Sequence, residues 1–202
     1  MSRALAMWVF VYLTCPVGTQ AQEPRYLGQQ PPGLESQLFA PGLISDPEVY
    51  EYGSVFSADG LEMFYGVELG HRAEIRMVRW TGSRWSAPTV LVSHERYSFG
   101  DPFLAPDGQR LYFISNRPLD AQTAEPKDFD IWYIPRDGDG WGDLFQPDRI
   151  NSSADEYYVS FASSGRLYFA SNRNAGSRRR NFDVYAAHAT ASGFAMPERR
   201  PA

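Results

Sequence analysis

Three acids, Glu51, Asp101 and Glu156, lie on the first strand of three similar stretches of this chain. If the strands they belong to converge on a common axis, the carboxylates form a negative ring able to hold a cation or a basic peptide segment. The alternative is that they cap turns or bond to neighbouring repeats. Two arginines, Arg117 and Arg173, also recur at equivalent places, followed by Asp130 and Asp183. A planar guanidinium and a carboxylate make a two-pronged pair, so these four read as structural ion pairs within a repeat. The first repeat lacks the pairing: Gly66 and Val67 follow Tyr65, and Glu74 stands in for the aspartate.

Other chemistry is thinly represented. The run from Asp137 through Asp139 to Asp143, with Asp148 beyond, has some of the spacing of a calcium loop, but Trp141 occupies a position that needs a ligand oxygen. It reads better as a solvated hairpin turn. His71, His94 and His188 are scattered with no metal-ligand spacing, so no metal and no cofactor are expected. No Gly-x-Ser-x-Gly elbow, phosphate loop or His-Glu-x-x-His motif is present. Carboxylate pairs for glycoside chemistry stay open, because acids are plentiful and their separation is not legible. Asn151-Ser-Ser fits a glycosylation acceptor, and Arg178-Arg179-Arg180 reads as a solvated loop tip. With 24 acidic against 19 basic residues and a net charge of -5, non-specific nucleic-acid binding is not expected.

The elements that would position these residues repeat. Glu51 to Gly60, Phe99 to Gly108 and Glu156 to Gly165 align on a turn-ending glycine. Strand-like runs follow at Leu61 to Tyr65, Arg110 to Ser115 and Arg166 to Ser171. The wording Leu111-Tyr-Phe-Ile-Ser-Asn-Arg117 nearly matches Leu167-Tyr-Phe-Ala-Ser-Asn-Arg173. Third strands are expected at Glu74–Val78, Asp130–Ile134 and Asp183–Ala186, then aromatic turns at Trp85, Trp141 and Phe194. A linking strand is expected at Phe39–Ser45 and Phe145–Asn151, with Pro88–Ser93 a looser copy. Aromatic and β-branched runs punctuated by Asp-Gly and Ser-Gly are what hairpins require, and no stretch after Ala21 has a helical apolar period. The fold class is therefore all-β: about three four-stranded blades, approximately 46–93, 94–151 and 152–202, within a domain spanning 39–202.

The wording Asp101-Pro-Phe-Leu-Ala-Pro-Asp-Gly108 followed by Leu-Tyr-Phe-Ile-Ser-Asn-Arg resembles the WD-repeat-like, TolB-type β-propeller family of exported bacterial proteins. The resemblance spans roughly residues 39–197. It implies a propeller; functionally it implies only that such domains act as binding platforms or accessory domains. Closed propellers have about four to eight blades, so three leave open edges. A homodimer closing the ring, or a shortened relative of a longer propeller, are the two resolutions.

Upstream, Ala4 to Thr14 is an apolar run preceded by Arg3 and followed by Thr19-Gln20-Ala21, the pattern of a cleaved secretory signal over 1–21. It is too short to span a bilayer permanently. A lipoprotein signal with acylated Cys15, the only cysteine, is the alternative. Residues 22–38, rich in proline and glycine, read as a tether. The expected function is an exported, periplasmic or secreted, non-enzymatic module binding a protein partner or cell-envelope component. The alternatives are a carbohydrate hydrolase or lyase with an acidic channel site, and a truncated remnant.

Overall fold

The structure is a computed structural model that describes residues 25–119, 125–176, 181–191 and 193–201. The expected signal at 1–21, Cys15 and Arg178–Arg180 lie outside the described residues.

The repeat becomes three four-stranded antiparallel sheets. The first holds β1 (Tyr50–Phe56), β2 (Glu62–Glu68), β3 (Ala73–Arg79) and β4 (Thr89–Val92). The second holds β5 (Phe99–Leu104), β6 (Arg110–Ser115), β7 (Asp130–Asp137) and β8 (Gly140–Trp141). The third is built from β9 (Glu156–Phe161), β10 (Leu167–Ser171), β11 (Asp183–Ala187) and β14 (Glu198–Arg199). A hairpin of β12 (Ala189–Thr190) and β13 (Gly193–Phe194) interrupts it. The first two strands of every sheet are joined by the same turn. The N–H groups of Gly60, Gly108 and Gly165 each donate to the carbonyl three residues back, and all three glycines sit at φ of +68° to +78°. An L side chain is strained there, which is why glycine ends each turn.

Alternation along the second strands assigns one face to each neighbour. Phe64 and Ile75 of the first blade meet Leu111 and Phe113 of the second in one core. Tyr112 and Ile131 meet Leu167 and Phe169 of the third in another. Phe64, Leu111, Phe113, Ile131 and Leu167 have no exposed surface, and each such side chain contributes about 1.5–3 kcal/mol of burial. This is face-to-face blade packing: an all-β, propeller-like array of three blades.

Two expectations about its ends are corrected. Phe39–Ser45 is not a linking strand. Leu27, Ala40 and Ile44 pack on Met63, Tyr65 and Val67, covering the face that a preceding blade would bury. Leu27 thus anchors the stretch expected to be a tether, and Gln29 holds it by bonding Leu38 O and Ala40 N–H. The third blade's outer strand is β14, directly after Met196-Pro197. Outer-strand contacts Met77–Thr89, Tyr133–Phe145 and Ala186–Glu198 recur at one chain separation. On the third blade's far side, Val184 stays 52% exposed.

The expected Arg–Asp pairs are also corrected. Arg173 pairs with Glu156 at 3.0 Å, while Asp183 pairs with Arg199 at 3.0 Å. Glu156, Ser171 and Asp183 stand in one row across the third sheet. Glu156 is the fully buried acid of that row, so leaving it without a cation would cost more than leaving the partly exposed aspartate. In the second blade, Phe99 occupies the place of Glu156. Arg117 there lies over the Trp132 ring at 5.0 Å, and Asp130 pairs with Lys127 at 2.6 Å. The shared feature is an arginine over the third-strand aromatic, since Arg173 lies over Tyr185 at 4.7 Å.

Candidate functional site

The inner strands β1, β5 and β9 each carry a bulge, visible as a register shift against the second strand. The bulge residue is left-handed in all three: Gly53 at φ +56°, Asp101 at +48° and Tyr158 at +55°. Only the first is glycine. A left-handed aspartate or tyrosine costs about 1–3 kcal/mol and persists where surrounding structure imposes it, often at functional sites.

The bulges separate the three acids expected to form a ring. Glu51 and Glu156 stand two residues before the bulge and bond to the loops that lead into their strands. Glu51 accepts the Asp46 N–H at 2.9 Å. Glu156 accepts from the Ser152 N–H and hydroxyl, the Ser171 hydroxyl and the Arg173 guanidinium at 2.7–3.1 Å. Both therefore cap the loop entering their strand, and Asp101 alone remains on the inner edge. Aligned on the turn glycines, Glu51 and Glu156 match Phe99, whereas Asp101 matches Gly53 and Tyr158, so the three acids do not hold one repeat position.

Around Asp101 the inner strands accommodate one another. Gly53 abuts it: a Cβ on Gly53 would lie 3.0 Å from Asp101 Oδ1. The Tyr52 ring lies across Gly66 and Gly100, where an added Cβ would come within 2.9 Å of Tyr52 Cζ and 2.6 Å of its hydroxyl. Tyr157 occupies the position of Tyr52 on the third blade and packs against Phe129 and Phe182. Tyr50, stacked on Tyr52, is 66% exposed, and Tyr158, next to Tyr157, is 72% exposed. The result is a row of tyrosines with the Asp101 carboxylate between them.

Burial pushes the Asp101 carboxyl above its usual range. Tyr52 and Tyr157 are pushed up to about 12, by burial first; Asp101 adds to both, with Glu68 acting on Tyr52 and Asp155 and Tyr158 on Tyr157. Their hydroxyls stay protonated donors at neutral pH. A partly desolvated carboxylate beside aromatic faces favours an incoming cation, because the carboxylate and the negative ring faces attract it together. The tyrosines were not singled out from the sequence. The signal that finds them is the repeat itself, which puts Tyr52, Gly100 and Tyr157 at one position.

The expected calcium-like run forms the β7–β8 hairpin, with Gly138 at φ +54° and Asp137 opposite Gly140. Among the described residues, no three His, Cys, Asp or Glu side chains gather as they would around a metal ion. No helix among them is long and apolar enough to cross a membrane.

No family model and no curated protein matches the chain. Solved structures do. A puromycin-hydrolyzing peptidase of Mycobacterium tuberculosis matches 73% of this chain at 12% identity with a TM-score of 0.53. A puromycin hydrolase matches 73% at 15% identity and 0.48, and a prolyl endopeptidase matches 85% at 12% identity and 0.42. The chain spans 22%, 23% and 30% of those proteins' lengths. The first of these likenesses supports the fold and, at that identity, the fold alone.

Proposed function

We propose that this chain is an exported propeller module of the TolB-like kind. On this reading it binds a protein partner or cell-envelope component along the tyrosine-lined inner edge, with a basic group of the partner placed at Asp101. The observation that carries the reading is Asp101 itself. It is a half-buried acid held in a strained left-handed bulge, flanked by exposed Tyr50 and Tyr158, while Glu51 and Glu156 are occupied as loop caps. Tyrosine supplies large contact area at low entropy cost and is enriched in protein interfaces. Export is supported by the residues of 1–21.

The test is affinity capture from cell-envelope extracts by the wild-type full chain, Tyr158→Ala and Asp101→Asn, with the captured species identified by cross-linking. A species held by wild type, lost with Tyr158→Ala and weakened with Asp101→Asn supports the reading. Capture unchanged by both variants overturns it. Polysaccharide hydrolysis by the wild type that disappears in Asp101→Asn would assign the site to catalysis instead.

A further inference from the structure

The two seams between blades are built from equivalent residues, and the difference between them is informative. Across the first seam, Arg136 holds the Glu62 carboxylate with both terminal nitrogens at 3.1 and 2.6 Å, and Arg79 adds a third bond at 2.9 Å. Arg136 also lies over the Trp141 ring at 4.0 Å, and Arg79 reaches Asp139 O at 2.8 Å. This latch draws the hairpin end of the second blade against the first. At the second seam the residue standing where Glu62 stands is Arg110: each directly precedes the first buried residue of its second strand, Met63 or Leu111. The residue in the place of Arg136 is Ala189, since Arg136 pairs with Trp141 as Ala189 pairs with Phe194. An arginine facing an alanine cannot form the latch.

What remains at the second seam is an open cleft of about 760 Å3, against about 550 Å3 at the first. That volume lies within the roughly 300–1,000 Å3 of small-ligand sites. Tyr112 forms its floor, with Tyr133, Phe161 and Phe194 around it at centroid distances of 4.9–6.4 Å from Tyr112. Arg110 lies over the Tyr133 ring at 5.5 Å, and Asp107, Asp148, Gln146, Ser163, Ser164 and Thr190 supply the other polar side chains of the lining. The charges define the ligand. Two carboxylates disfavour an anion, the guanidinium disfavours a cation, and the hydroxyl and charged groups disfavour a wholly apolar molecule. A neutral ring with apolar C–H faces and a rim of hydroxyls satisfies all of them: its face packs on the partly exposed Phe161 and Tyr133 above the buried Tyr112, and its hydroxyls accept from Arg110 and donate to the aspartates.

We propose that the cleft between the second and third blades binds a saccharide, independently of the inner-edge site. The probes are soluble chitotetraose, cellotetraose and maltotetraose, titrated into the full chain by calorimetry and by protein-observed NMR. At least one is expected to bind, shifting resonances of Tyr112 and Phe161. The decisive variant rebuilds the first seam's latch at the second, as Arg110→Glu together with Ala189→Arg. It is expected to lower affinity at least tenfold while leaving the melting temperature unchanged or raised. Arg110→Gln, a milder change on an exposed side chain, is expected to lower affinity about fivefold and covers the case in which the double variant misfolds. Absence of binding by all three oligosaccharides overturns the proposal. So does binding that neither the double variant nor Arg110→Gln weakens. Either result leaves the inner-edge reading untouched, because that site shares no residue with the cleft.

Discussion

Arg173→Ala is the most informative perturbation of this fold. Its guanidinium donates to Glu156 Oε1 at 3.0 Å and to Ile150 O at 2.6 Å, while Nε bonds Ser171 Oγ at 3.0 Å. Its plane lies over Tyr185 at 4.7 Å and Phe169 at 5.3 Å. The Glu156 side chain has no exposed surface and that of Arg173 has 18%. Removing one partner of a buried pair strands the other's charge and costs about 3–5 kcal/mol, a large share of the roughly 5–15 kcal/mol that holds a domain folded. For a chain of this length that lowers the melting temperature by about 6–20 °C. Glu156→Gln keeps acceptor and donor capacity for Ser152 and Ser171 and lets Arg173 turn towards solvent, so it costs less, about 1–3 kcal/mol. The double variant should therefore be less destabilised than the sum of the singles, by more than about 1 kcal/mol. Arg199→Ala serves as the contrast: with side chains 60% and 22% exposed, its pair with Asp183 contributes at most about 1 kcal/mol and weakens with salt. Urea and thermal unfolding at low and high salt measure all four variants. A cost for Arg173→Ala below about 1 kcal/mol, or additivity with Glu156→Gln, would refute the reasoning.

Three further outcomes follow from other parts of the molecule. Gly100→Ala should destabilise by about 1–3 kcal/mol, because its Cβ meets the Tyr52 hydroxyl at 2.6 Å; Tyr52→Phe should relieve most of that cost, and denaturant midpoints of the single and double variants decide it. Asp101 has a carboxyl raised by burial, so unfolding releases its proton, and its contribution is most favourable below the unfolded value and lost as pH rises through the folded one. Asp101→Asn, which tolerates the left-handed bulge, should therefore melt higher than wild type at pH 7, with the difference shrinking as pH falls through the raised folded value and fully lost below the unfolded value of about 4. Arg136→Ala should loosen the first seam by about 1–3 kcal/mol, since Glu62 then keeps only the partly exposed Arg79; Trp141, no longer covered by that guanidinium, should respond in fluorescence.

The repeat was legible in the residues alone, and with it the blade number, the glycine-ended turns and the succession of strands. These depend on local chemistry: positive φ at Gly60, Gly108 and Gly165, and alternating aromatic and β-branched side chains between them. What contacts what across strands was not legible. Arg173 and Asp183 recur as a pair in the sequence, yet the fold gives Arg173 to Glu156, because partner choice follows burial. Asp101 stands two places further along its repeat than Glu51 and Glu156, opposite Gly53 and Tyr158, and only the fold shows that this place is a bulge with different neighbours. Residues 39–45 read as a strand by their likeness to 145–151, but Ala40 and Ile44 fold onto the outer face of the first blade instead of joining a sheet. The unlatched seam at Arg110 and Ala189 was equally invisible, because its meaning lies in comparison with Glu62 and Arg136, which meet only when two blades pack. The sequence determines each blade as a unit because its turns and alternation are local. The tertiary structure alone decides which acids are used and which surfaces stay open, because that depends on what each blade finds beside it.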